Sequence, residues 1–140
     1  MAAGIRVLYD TNVLAQVTAR RGRGLQFRAL LAGGDITHLT SRYVLDETEA
    51  VLVERFGATR QKARASVRLI AKFSVVVEPA RIEQVSRDPN DDAVLAAAAA
   101  GHARYLVTAD KDLLVLGEYR SVQIVSPADF EAADWRAAAG

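Results

Sequence analysis

At 140 residues, 51% hydrophobic and 25% charged, the chain has the size and composition of one globular domain. It has no cysteine, so neither a disulfide framework nor a thiolate metal site can form, and its net charge of +1 is not that of a uniformly basic nucleic-acid binder. No apolar run approaches the ~20 residues of a membrane span, and the first residues lack the apolar core of a signal peptide, so a cytoplasmic protein without membrane contact is expected.

The charges are unevenly placed. Arg20, Arg21, Arg23 and Arg28 form one basic group, and Arg55, Arg60, Lys62, Arg64, Arg68 and Lys72 form another. Acids gather at positions 46–49 and 88–92. Basic patches beside acidic clusters suit a phosphate-rich substrate near a cation, although two solvated helix faces would look the same.

Ile5–Tyr9 is a short run of β-formers that ends at Asp10, which predicts a buried strand. A short helix from Thr11, a basic turn at 20–24 and a helix over Leu25–Leu31 follow, stopped by Gly33 and Gly34. Ile36–Thr40 predicts a second strand. Ser41 is the expected N-cap of a helix through Glu54, ended by Gly57. Thr59 caps another helix through about Lys72, with Ala63, Val67, Ile70 and Ala71 facing inward. Ser74–Val77 predicts a strand, and Arg81–Val85 a short helix. Asn90 is the expected cap of an alanine-rich helix over Asp91–Ala100, closed by Gly101. Arg104–Val107 predicts a strand, Lys111–Leu116 a brief helix, Val122–Val125 a last strand and Pro127–Ala133 a last helix.

Strands alternate with helices along the whole chain. The expected fold is α/β, a three-layer α/β/α sandwich around a mostly parallel sheet, in one domain over 1–140 with its core at about 5–130. Ligands in such sheets bind beyond the carboxyl ends of the strands, where strand order reverses. Asp10 and Asp110 each follow a predicted strand and open onto that edge.

Four places supply carboxylates. Asp10 ends a buried strand, a costly position for an unpaired charge, although it also suits a helix cap. Asp46, Glu47 and Glu49 share one helix, and Glu47 stands three residues after Val44 and four before Val51, nearest the apolar stripe. A solvated acidic face is the plain alternative. Asp91 and Asp92 open the alanine helix and point about 100° apart, so one of them leads at any site, and periodicity does not choose between them. Asp110 and Asp112 flank Lys111, with Thr108 placed to orient a carboxylate. Carboxylates converging at one edge repel by ~4 kcal/mol per pair at ~4 Å and an effective dielectric near 20. Such a site calls for a hard cation, Mg²⁺ or Mn²⁺.

The segments LYDTNV, DETEAVL, DPNDDAVLAAA and YLVTADKDLL together resemble the PIN-domain family, in its order and over about residues 5–130. The resemblance implies a Mg²⁺- or Mn²⁺-dependent endoribonuclease, a class in which many members are toxins of VapBC-type toxin–antitoxin pairs and often dimeric. It carries catalytic roles onto Asp10, Glu47, Asp91 and Asp110, metal contacts also onto Asp92 and Asp112, and support of the acids onto Asn12 and Thr108. Arg20, Arg21 and Arg23 are the expected RNA contacts, an antitoxin the expected protein partner and a homodimer a compatible assembly. Thr48 departs from the apolar residue common after the glutamate, and Ala109 from the glycine or charged residue often found there. Two other classes fit parts of the sequence: a non-catalytic PIN-like module that docks a partner, and an aspartate-dependent phosphatase. The phosphatase needs a second acid two residues after Asp10, where this chain has Asn12.

Overall fold

The computed structural model describes residues 4–19 and 35–132. Strands β1 (Ile5–Tyr9), β2 (Ile36–Ser41), β3 (Val75–Val77), β4 (Tyr105–Val107), β5 (Glu118–Tyr119) and β6 (Val122–Val125) form one sheet in the order β3-β2-β1-β4-β6-β5. All pairings are parallel except β5 with β6. Helices α1 (Thr11–Ala19), α2 (Arg42–Phe56), α3 (Arg60–Lys72), α4 (Pro89–Ala100), α5 (Lys111–Leu116) and α6 (Pro127–Ala132) lie between or after the strands.

β1 and β4 are adjacent although far apart in sequence, and β2 and β3 lie on the far side of β1. The chain therefore reverses its direction of travel between β1 and β4. Helices cover both sheet faces, as a central parallel sheet requires. On one face Tyr9 stacks near His38 and meets Phe130 of α6 edge-on, while the His38 Nδ1 lies 2.7 Å from the Ser74 hydroxyl after α3. Burial lowers the pKa of His38 to about 3, so its ring is neutral. On the other face Leu39 meets the end of α4, where a Cβ on Gly101 would lie 2.8 Å from its side chain.

Local chemistry explains most element ends. The Ser41 hydroxyl accepts from the Val44 N–H, Thr59 does the same for Lys62, and Gly57 closes α2 in the left-handed region that suits glycine. In α4 every residue from Asp91 to Ala98 is buried, and the small side chains of Ala93, Ala96, Ala97 and Ala98 let the helix pack closely.

Several boundaries differ from the sequence reading. Asp88, not Asn90, caps α4, with Pro89 starting the helix at its preset φ. Residues 81–85 form no helix. That segment is too short to nucleate one alone, and its last amide, Val85, and the next, Ser86, donate to Asp92 instead. β5 has no sequence signal, because its two-residue turn to β6 uses Arg120 and Ser121 at positive φ, where glycine or asparagine is usual. The expected helix over Leu25–Leu31, the basic group Arg20, Arg21 and Arg23, and Ala133 at the end of the last helix lie outside the described residues.

Candidate metal centre

Asp10 leaves β1 at the point where strand order reverses. Its backbone N–H donates to the Val107 carbonyl (2.9 Å), continuing the β1–β4 pairing beyond the strand. Its carbonyl accepts from Leu14 and its Oδ1 from the Thr11 N–H (2.8 Å), so Asp10 does start a helix. The other carboxylate oxygen is not spent on that turn. Oδ2 accepts from the Thr108 hydroxyl (2.7 Å), and the Thr108 oxygen in turn accepts from the Asp110 N–H (3.0 Å). One fully buried hydroxyl thus joins the ends of β1 and β4. Burial raises the Asp10 pKa and the charge of Asp110 adds to it, against the lowering effect of the Thr108 and Thr11 hydrogen bonds.

Asp110 caps α5 by accepting from the Asp112 N–H (2.8 Å). Asp91, in the first turn of α4, is 6% exposed. Its pKa is raised to about 6 by burial first, then by Asp110, Asp88 and Asp10, with the Ser86 hydroxyl at 3.4 Å opposing. Asp91, Asp110 and Asp112 each offer a carboxylate oxygen within 4.8 Å of the others. An octahedral Mg²⁺ with ~2.1 Å bonds holds its ligand oxygens at most roughly 4.2 Å apart. The observed spacing fits such an ion with small side-chain adjustments, and the all-oxygen donor set suits Mg²⁺ or Mn²⁺ rather than zinc.

Asp92 turns elsewhere. It is buried, and its Oδ1 accepts from the N–H groups of Val85 (3.0 Å) and Ser86 (2.7 Å). The two adjacent aspartates therefore have different surroundings: Asp91 faces other carboxylates and Asp92 fastens the loop before its own helix. Asp112 is exposed and lies 3.5 Å from the Arg87 guanidinium.

Glu47 is exposed rather than turned into the apolar core; α2 buries Val44, Leu45, Thr48 and Leu52. It meets the cluster through Tyr43, one helical turn earlier. Burial raises the Tyr43 hydroxyl to about 12, and the charges of Glu47, Asp88, Asp10 and Asp91 all contribute. Four carboxylates from β1, α2 and the start of α4 thus bear on one phenol. Asn12 does not touch the acids. It is exposed, and its Oδ1 accepts from Arg55 Nη1 (3.2 Å). Thr48 is fully buried, and its hydroxyl donates to the Val44 carbonyl (2.6 Å), which satisfies the polar group within its own helix. Ala109 is exposed in the loop after β4.

Tyr43, Asp88 and Ser86 are neighbours of the acids that sequence reasoning missed. Tyr43 had a usable signal, since it stands at helical spacing from Glu47. Ser86 had none, because only the folded loop brings it to Asp91.

A mostly parallel sheet with helices on both faces, and carboxylates gathered where its strand order reverses, makes this an α/β domain with an acidic strand-end cleft. The PIN domain family profile matches residues 6–112, more than half of the chain, and the chain belongs to that family. Its fold is similar to a structure of VapBC2 from Rickettsia felis bound to a DNA fragment from their promoter, with a TM-score of 0.59, 11% identity, and coverage of 87% of this chain and 98% of that one. It is also similar to VapC20 of Mycobacterium tuberculosis, described as a sarcin–ricin-loop-cleaving toxin, with a TM-score of 0.57, 19% identity, and coverage of 81% and 97%. No curated protein sequence matches the chain.

Proposed function

We propose that this PIN-domain protein is a metal-dependent endoribonuclease and the toxin of a toxin–antitoxin pair. The observation that carries the reading is the convergence of Asp10, Asp91 and Asp110 at the β1–β4 reversal, where burial and mutual repulsion raise Asp10 and Asp91 above ordinary carboxylates. Like charges held together in this way are stabilised by a divalent cation. The similarity in fold to VapBC2 and VapC20 supports the toxin assignment and an antitoxin partner.

In this reading Asp10, Glu47, Asp91 and Asp110 hold Mg²⁺ or Mn²⁺, with Asp112 at the rim. When bound, the ion supplies charge neutralisation at the phosphodiester and lowers the pKa of the attacking water. Thr108 holds Asp10 Oδ2 and the Asp110 N–H on one hydroxyl and so ties the two strand ends together. Asp91 serves at the cation, while Asp92 holds the 85–86 backbone that supports it. Arg20, Arg21 and Arg23 contact the RNA backbone. The same reading includes a cytoplasmic site of action and homodimer formation. Among the described residues no helix is long and apolar enough to cross a membrane.

The test is cleavage of single-stranded RNA by the purified chain with Mn²⁺, with EDTA and with the Asp10→Asn variant. Cleavage that needs Mn²⁺ and is lost in the variant is the expected result. Equal cleavage by wild type and variant would refute the role of Asp10. No cleavage together with no Mn²⁺ binding in calorimetry would favour a PIN fold that only docks a partner.

A further inference from the structure

Most acids in the cleft are held by a direct hydrogen bond. Asp10 is held by Thr108 and Thr11, Asp110 by the Asp112 N–H, and Asp91 is approached by Ser86. Glu47 is different. Among the described residues it has no hydrogen bond or ion pair of its own, and it is exposed. Its position relative to Asp91 therefore depends on how α2 sits against α4.

One polar contact joins those two helices. The Tyr43 hydroxyl, in the first turn of α2, donates to Oδ1 of Asn90, in the first turn of α4. Each end is anchored locally. The Ser41 hydroxyl accepts from the Val44 N–H (3.1 Å), and Asp88 Oδ1 accepts from the Asn90 N–H (2.9 Å). Tyr43 lies one turn before Glu47, and Asn90 immediately precedes Asp91. Among the described residues no other hydrogen bond or ion pair links α2 to α4.

We infer that the Tyr43–Asn90 bridge is a positioning device that sets the spacing of Glu47 from Asp91, and so the width of the cleft. This rests on the metal-nuclease reading above. Neither residue is assigned a contact with substrate. The phenol is the polar link between the two helices, and loss of its oxygen frees Glu47 rather than removing it.

The test is a double-mutant cycle with Tyr43→Phe and Asn90→Ala, both of which keep the backbone contacts described. Each single variant is expected to weaken Mn²⁺ binding by about threefold to tenfold in calorimetry. Each should lower kcat for RNA cleavage with KM unchanged, and the double variant should be no worse than the weaker single, because the two residues act as one unit. Wild-type Mn²⁺ affinity and kcat in both singles, or losses that multiply in the double, would overturn the inference. Thermal unfolding of the same four proteins in EDTA reads the bridge without metal or activity. Absence of coupling there, with Mn²⁺ binding intact, overturns the bridge alone. Coupling in EDTA with a wild type that neither binds Mn²⁺ nor cleaves RNA overturns the nuclease reading, and the positioning role with it.

Discussion

The two ends of α4 carry polar clusters of opposite design. At its first turn Asp91 sits buried among Asp110, Asp88 and Asp10, and its pKa rises. Along its last turns, at Ala96, Ala99 and Ala100, a groove of about 490 Å³ opens between the 79–83 segment and the β5–β6 hairpin. There Glu83 accepts from the Tyr119 hydroxyl (2.7 Å) and pairs with Arg120, and these partners hold its carboxyl below the usual range. At the hairpin the chain supplies the acid with a counter-charge and leaves the pair in water. At the strand ends it raises the buried Asp91 and Asp10 by desolvation and mutual repulsion, and among the described residues the counter-charge it supplies is at the rim, where Arg87 lies 3.5 Å from the exposed Asp112. The contrast separates charge placed for local structure from charge that needs something from outside the chain.

The contrast can be broken or sharpened by substitution. The largest effect belongs to Asp10→Asn. Mn²⁺-dependent RNA cleavage should fall by more than about 100-fold, within the several kcal/mol that a metal ion supplies. The fold should persist in circular dichroism and melting, because an asparagine keeps the cap and relieves repulsion. Thr108→Val comes next. It leaves Asp10 Oδ2 and the Asp110 N–H without their shared partner, at a cost of about 1–3 kcal/mol in denaturant unfolding. Cleavage should fall by about tenfold as the two strand ends lose their common anchor.

Gly101→Ala tests packing away from both clusters. The new methyl would meet Leu39 Cδ1 at 2.8 Å and Val77 Cγ1 at 3.2 Å. Overpacking of this kind costs about 1–3 kcal/mol, and it should appear as a lower melting temperature with the Mn²⁺ requirement unchanged.

The pH dependence of Asp91 follows from its sign. Its folded pKa of about 6 lies above the unfolded value near ~3.9. The fold therefore binds this proton more tightly than the unfolded chain does. That contribution is complete below about pH 4 and is lost as pH rises through about 6. In EDTA, Asp91→Asn should raise the melting temperature at pH 7 and leave it nearly unchanged at pH 4. An equal shift at both would place the effect outside titration. The smallest effect is expected for Arg120→Ala, which breaks an exposed pair. Cleavage should be unaltered, and any activity loss would show that the two ends of α4 are coupled.

Much of this architecture is legible in residue pattern. Ser41, Thr59, Gly57 and Gly101 mark helix ends by local hydrogen-bonding and steric rules, and the β-rich runs at Ile5, Ile36 and Val122 become strands. The reversal between β1 and β4 follows from alternating elements only in outline, because strand order is a tertiary outcome. The cleft was legible as a set of acids without their surroundings. Position along a helix left Asp91 and Asp92 equivalent, and the difference between them comes from the 85–86 loop that folds back onto one of the two. Periodicity suggested that Glu47 leans toward the apolar stripe, whereas it is exposed and shares with the other acids only its charge on Tyr43. The β5–β6 turn was invisible because Arg120 and Ser121 adopt a conformation that their side chains do not advertise.

The enclosure of α4 between Asp91 and Ala98 has a consequence for how this protein can change over evolutionary time. With Ala97 and Ala98 fully enclosed, an added methylene at either position has no free direction and must displace the helix axis. Because Asp91 rides on that axis, drift in these chemically inert positions would move a carboxylate away from its companions across the cleft. Substitutions there are expected to alter cation affinity before they alter whether the chain folds.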